Sequence, residues 1–147
     1  MIKAGERAPE FTLRSDDGRS VALRDLIASG PAVIFFYPKD GTPGCTLEAG
    51  AFAKRYDEIR KMGAEVVGVS TDGEVSHSKF KERCELPFLL LSDPSGEVRK
   101  AYGIPKALGV LPGRATFVID RSGVIRRKFI GAVDWTEPEI VDFLSKL

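Results

Sequence analysis

The chain has 147 residues, 43% of them hydrophobic, with 22 Lys and Arg against 21 Asp and Glu and a net charge of +1. That length suits one domain, expected over residues 1–147, and the composition excludes a disordered or fibrous chain. The near-neutral balance gives no electrostatic support for a nucleic-acid or anionic-membrane partner, and no apolar run approaches the ~20 residues of a membrane span. The stretch Met1–Pro9 carries no apolar signal core, so a cytoplasmic protein is expected. Two cysteines and one histidine fall short of a Cys/His zinc site without help from carboxylates, so neither a metal nor another cofactor is expected.

In chain order, Phe11-Thr12-Leu13 alternates as a strand, Asp16-Asp17-Gly18 turns, and Val21 continues a hairpin partner. Leu23 to Ile27 reads as a short helical turn. Ala32 to Tyr37 is a continuous apolar run, the pattern of a strand covered on both faces. A loop rich in Pro and Gly spans Pro38 to Gly44, and a helix follows to about Met62, stopped by Gly63. Glu65–Ser70 is predicted as a strand, Glu74–Cys84 as a helix, Phe88–Leu91 as a strand, and Asp93 to Gly96 opens a helix through Tyr102. Ala115–Ile119, the turn Asp120 to Gly123 and Val124–Phe129 form a hairpin, in which Arg126-Arg127-Lys128 is a solvated face. Thr136-Glu137-Pro138-Glu139 is a capping box that starts a last helix to about Lys146. This order implies an α/β fold: a mixed sheet with parallel strands at its centre and helices on both faces.

The loop Pro38-Lys39-Asp40-Gly41-Thr42-Pro43-Gly44-Cys45 carries the chemistry. With Thr42 as N-cap, Pro43 takes the first helical position and Cys45 the third, among amides that lack intrahelical acceptors. Those amides and the helix dipole favour a thiolate, so the thiol pKa is expected below its free value of ~8.5. Cys45, Glu48, Phe52, Tyr56 and Ile59 fall on one helical face. The same spacing equally fits a buried core cysteine with Glu48 merely well placed near a helix N-terminus, and spacing alone leaves both readings open. His77, the single histidine, is expected to pack or cap early in its helix, and Trp135 to pack at a surface edge.

The pattern Pro38-x-x-x-Thr42-x-x-Cys45 resembles the active-site signature of the peroxiredoxins, and Thr42-Pro43-Gly44-Cys45-Thr46-Leu47-Glu48-Ala49 is similar to the Q-type, or bacterioferritin-comigratory, branch. Phe35-Phe36-Tyr37-Pro38, Val67-Gly68-Val69-Ser70, Ser76-His77-x-x-Phe80, Leu86-Pro87-Phe88, Leu91-Ser92-Asp93 and Arg114 to Asp120 extend the resemblance from about Gly5 to the C-terminus. It implies a thioredoxin-like fold with an N-terminal β-hairpin extension, and thiol-dependent reduction of hydroperoxides. Cys45 matches the peroxidatic cysteine, which becomes a sulfenic acid. Thr42 matches the hydroxyl that hydrogen-bonds thiolate and peroxide, and Arg114 the guanidinium that holds the thiolate and polarises the O–O bond. Pro38 matches the residue that shields the pocket, and Glu48 a carboxylate placed to orient Arg114.

The resemblance departs at the second cysteine. Many members carry a resolving cysteine five residues after the first, where this chain has Gly50. Others carry it in the next helix, where Cys84 stands about one turn later than that position, so a resolving and a bystander role both stay open. The expected partners are a hydroperoxide and thioredoxin or another thiol, with a monomer or weak homodimer. A thioredoxin-like disulfide oxidoreductase is the first alternative. It lacks Cys-x-x-Cys, since Thr42 stands at the first cysteine position, and Ala115 stands where a proline would precede the strand. A non-catalytic binding module is the second.

Overall fold

A computed structural model describes residues 2–104, 113–131 and 144, with the backbone alone for Pro43, Gly44, Cys45 and Glu48. Its elements are β1 (Thr12–Ser15), β2 (Ser20–Ala22), α1 (Leu23–Leu26), β3 (Ala32–Phe36), α2 (Pro43–Lys61), β4 (Glu65–Ser70), α3 (Glu74–Cys84), β5 (Leu89–Ser92), α4 (Glu97–Ala101), β6 (Ala115–Ile119) and β7 (Ile125–Ile130). The strands lie in one sheet in the order β2-β1-β5-β4-β3-β6-β7. β3, β4 and β5 run parallel, while β1 joins β2 and β5, and β6 joins β3 and β7, in antiparallel pairs.

The central strands are apolar along their whole length because both faces are covered. All five residues of β3 are buried. Alternation sends Val33, Phe35 and Tyr37 to a cluster with Phe52 and Ile59 of α2 and Phe80 of α3. Ile34 and Phe36 face the other way, to Phe117, Tyr102 and Leu23. Gly68 in β4 has no room for a side chain: a Cβ there would stand 2.7 Å from the Phe35 ring and 2.9 Å from Leu90. Glycine is therefore what lets Phe35 stack on Phe52, with ring centroids 4.4 Å apart.

The expected mixed sheet, its parallel centre and the N-terminal hairpin are all present, with boundaries shifted by a residue or two. α2 ends at Lys61 and the chain turns at Gly63, which takes the left-handed conformation (φ +83°) that glycine adopts without strain. α4 is shorter than the expected helix through Tyr102, at five residues. In β7, Arg126 and Arg127 are exposed as expected, and Lys128, half-buried, donates to Ile2 O at 3.1 Å. The helix expected from Thr136, and Trp135, lie outside the described residues apart from Leu144, which is helical and buried in the cluster under α2.

Candidate functional site

The site sits where β3 ends and α2 begins. Thr42 is the N-cap of α2 with extended backbone (φ −74°, ψ 152°), and Pro43 opens the helix. The first helical bond runs from Thr46 N–H to Thr42 O at 2.9 Å. The N–H groups of Gly44 and Cys45 precede it, which puts Cys45 at the third position of a 19-residue helix as its spacing predicts. The Thr42 side chain does not cap the helix. Its hydroxyl instead donates to Lys39 O at 3.2 Å, within the same loop.

Arg114 arrives from the neighbouring strand. The β3–β6 ladder ends at the pair Phe36–Ala115, so the next step of the register sets Arg114 opposite Tyr37. Alternation along β6 gives Arg114 the same side of the sheet as Val118, the face that α2 covers. Its carbonyl accepts from Gly131 N–H at 2.9 Å, which fixes its backbone against the end of β7. Pro38 is half-buried on the chain leaving Tyr37. The sheet thus brings Pro38, Thr42, the backbone of Cys45 and Arg114 to one rim; of Glu48, one turn into α2, only the backbone is described.

Cys84 is not at that rim. It is the last residue of α3, half-buried and packed against the α2-side cluster. Beyond it Glu85 turns left-handed (φ 51°), Leu86 N–H returns to Lys81 O at 3.0 Å, and Leu86 is buried. That closing turn seals the end of the helix that carries Cys84.

The loop between β3 and α2 is held by a network that sequence reading missed. The Asp40 carboxylate, 5% exposed, receives the Tyr37 hydroxyl at 2.6 Å, His77 Nδ1 at 2.7 Å and the Ser76 hydroxyl at 2.8 Å. Its own N–H donates to Asp72 Oδ2 at 2.7 Å. His77 is fully buried, and its other nitrogen, Nε2, faces Leu91 O at 3.0 Å. A carbonyl on one side and a carboxylate on the other give both ring nitrogens an acceptor to face, and Nδ1 stands within salt-bridge distance of the carboxylate. Burial raises the Asp40 pKa, but the hydrogen bonds from His77 and Tyr37, with His77's charge, outweigh it and hold the carboxyl below its ordinary value. Burial, then the charge of Asp40, pushes the Tyr37 hydroxyl strongly upward, so it stays a donor.

His77 therefore does more than the expected packing or capping. Asp40, Asp72 and His77 also bring one potential ligand atom each within 4.8 Å of one another, the carboxylate help that composition alone did not reveal. All three are engaged in the hydrogen bonds just described. No spacing signal could have found the network, because its two halves, Tyr37 with Asp40 and Asp72 with Ser76 and His77, lie more than thirty positions apart and Asp40-Gly41 reads as turn chemistry.

A mixed sheet with a cysteine at the helix start beyond its central parallel strand defines a thioredoxin-fold thiol protein. The model of the AhpC/TSA family matches residues 4–128, and the chain belongs to that family. The chain is 49% identical over 126 residues to a putative peroxiredoxin Q, chloroplastic, of Oryza sativa subsp. indica, covering 85% of this chain and 58% of that one. It thus spans little more than half the length of that curated relative. Among solved structures it is similar to the peroxidoxin BcpB of Mycobacterium tuberculosis (33% identity, TM-score 0.90, 100% of this chain and 99% of that one). It is also similar to the Xanthomonas campestris bacterioferritin comigratory protein studied for alkyl peroxide reduction (29% identity, TM-score 0.83, 92% and 90%). The expected cytoplasmic location is overturned by these relatives, since curated ones from several plants are named chloroplastic. Charge and the absence of an apolar run carry no address, which explains the error. Among the described residues no helix is long and apolar enough to cross a membrane.

Proposed function

We propose that this chain is a thiol peroxidase that reduces hydroperoxides at Cys45. The observation that carries the reading is the placement of Cys45 at the third position of α2, on the rim where β6 delivers Arg114. The helix amides and the guanidinium favour the thiolate. The thiolate sulfur attacks the terminal peroxide oxygen, the O–O bond breaks, and the leaving oxygen takes a proton to depart as water or an alcohol. Sulfur loses two electrons and becomes a sulfenic acid. Negative charge moves from sulfur to the leaving oxygen, and Arg114 is the donor that accompanies it. To donate to sulfur or peroxide, Thr42 must release Lys39 O by rotating its hydroxyl. Pro38 limits water on one side, and Glu48 orients Arg114.

A thioredoxin-type dithiol then returns the sulfenic acid to the thiol, releasing water and becoming a disulfide. Cys84 does not resolve rapidly in this reading, because bridging it to Cys45 requires α3 to lose the closing turn at Leu86 and the anchors Phe80 and His77. One domain over 1–147 fits the full-length match to the Mycobacterium tuberculosis structure. A monomer or weak homodimer fits an exposed apolar surface that, among the described residues, has only Leu47, Val75 and Ile130 as large side chains. The reading is tested by peroxide consumption in the presence of dithiol: Cys45→Ser should abolish it, and a Cys45→Ser protein as active as the parent would overturn it.

A further inference from the structure

Arg99 lies on α4, across the sheet from α2, in the layer of Phe36 and Phe117. Its guanidinium carbon stands 6.0 Å from the Phe36 ring centroid, and from there the side chain reaches round the end of the sheet. One amino group donates to Tyr37 O at 2.8 Å and the other to Gly113 O. These two carbonyls have a particular position. Tyr37 O is the last carbonyl before the loop that leads to Thr42 and Cys45, and Gly113 O is the one before Arg114. The β3–β6 ladder has just ended at Phe36–Ala115, so the two chains part here.

The base of the side chain is fixed as firmly as its tip. Arg99 N–H donates to Asp93 Oδ2 at 3.0 Å, Val98 N–H to Asp93 Oδ1 at 3.3 Å, and Asp93, 2% exposed, is tied by its own N–H to Ser70 O at 2.8 Å. A planar guanidinium can hold two acceptors at a set separation, which an ammonium on a flexible stem cannot. We infer that Arg99 is a positioning residue: its fork sets the spacing between the segment that enters the Cys45 loop and the segment that carries Arg114. This inference rests on the catalytic roles proposed for Cys45 and Arg114. Arg99 acts through Arg114, because the distance it controls matters only while a guanidinium stands at position 114.

The test is a double-mutant cycle on single-turnover hydrogen peroxide reduction, with iodoacetamide alkylation of the Cys45 peptide, read by mass spectrometry, as an independent measure of an intact thiol environment. Arg99→Lys and Arg99→Met should each slow peroxide reduction on the order of 10- to 100-fold, the size expected for a displacement of about 1 Å at a reacting centre. Alkylation should change less than about threefold, since it needs the thiolate and not the peroxide geometry. In an Arg114→Ala background, Arg99→Met should add less than about threefold, because coupled residues do not add. Arg99 variants as fast as the parent, a full Arg99→Met effect in the Arg114→Ala background, or loss of alkylation along with peroxide reduction would each overturn the inference. An Arg114→Ala protein that reduces peroxide as fast as the parent would instead remove the reading of the site itself, and the role of Arg99 with it.

Discussion

Replacing Asp40 by Asn keeps the side-chain shape and removes the charge on which three donors converge. Ser76 lies at the margin and can turn to water, but His77 and Tyr37 are fully buried and cannot. The amide can face His77 with its oxygen and donate from its NH2 to the Tyr37 hydroxyl, so what the substitution removes is the charge and one acceptor. Removing one partner from a buried ion pair costs about 3–5 kcal/mol, a large share of the ~5–15 kcal/mol that stabilises a typical domain. For a chain of this size such a loss lowers the melting temperature by roughly 6–20 °C. Because Ser76 retains solvent, the lower half of that range is expected.

The pH dependence has a definite sign. The Asp40 carboxyl titrates below its ordinary value in the folded protein, so its contribution is complete above the unfolded value of ~3.9 and is lost as pH falls through the folded one. Urea unfolding of parent and Asp40→Asn between about pH 3 and pH 7 reads this directly. The gap between the two midpoints should shrink as pH falls through the folded-state titration of Asp40. Coincident midpoints at pH 7, or a gap that widens as pH falls, would refute the ion-pair account.

Other outcomes follow from the same structure. Arg114→Ala and Thr42→Val should each raise the barrier to peroxide reduction by on the order of 2–4 kcal/mol, the cost of one lost donor to a developing charge, with Thr42→Ser retaining activity; a Thr42→Val enzyme as fast as the parent removes the hydroxyl from the mechanism. Gly68→Ala should destabilise by about 1–3 kcal/mol in thermal unfolding, since the methyl meets Phe35 and Leu90 below contact distance; an unchanged melting temperature would show that the Phe35 layer yields. Peroxide treatment followed by non-reducing peptide mapping should leave Cys84 free while Cys45 is oxidised, and a rapid, quantitative Cys45–Cys84 peptide would contradict the slow-resolution reading.

How much the sequence disclosed varies with the physics of each part. Glu65–Ser70 and Ala115–Ile119 were legible to the residue because short apolar, β-branched runs leave few alternatives, and Glu74–Cys84 because a polar stretch starts after Gly73 and stops short of Pro87. The position of Cys45 followed from Thr42-Pro43, whose preferences mark a helix start. The roles of Arg114 and Pro38 entered through family resemblance, because an arginine before a strand is unremarkable in a chain with 12. Arg99 was silent for a further reason: it grips two backbone carbonyls, and carbonyls leave no trace in side-chain identity. The Asp40–His77 pair was hidden by sequence separation, since only the parallel crossover from β3 to β4 brings α3 beside the loop.

Mass spectrometry after one equivalent of hydrogen peroxide decides whether Cys45 is the site at which oxygen is transferred. Peroxide should disappear and the Cys45 sulfur alone should gain one oxygen atom, trapped as a sulfenic-acid adduct, while Cys84 stays a thiol. An unmodified Cys45 with peroxide still present would contradict that role.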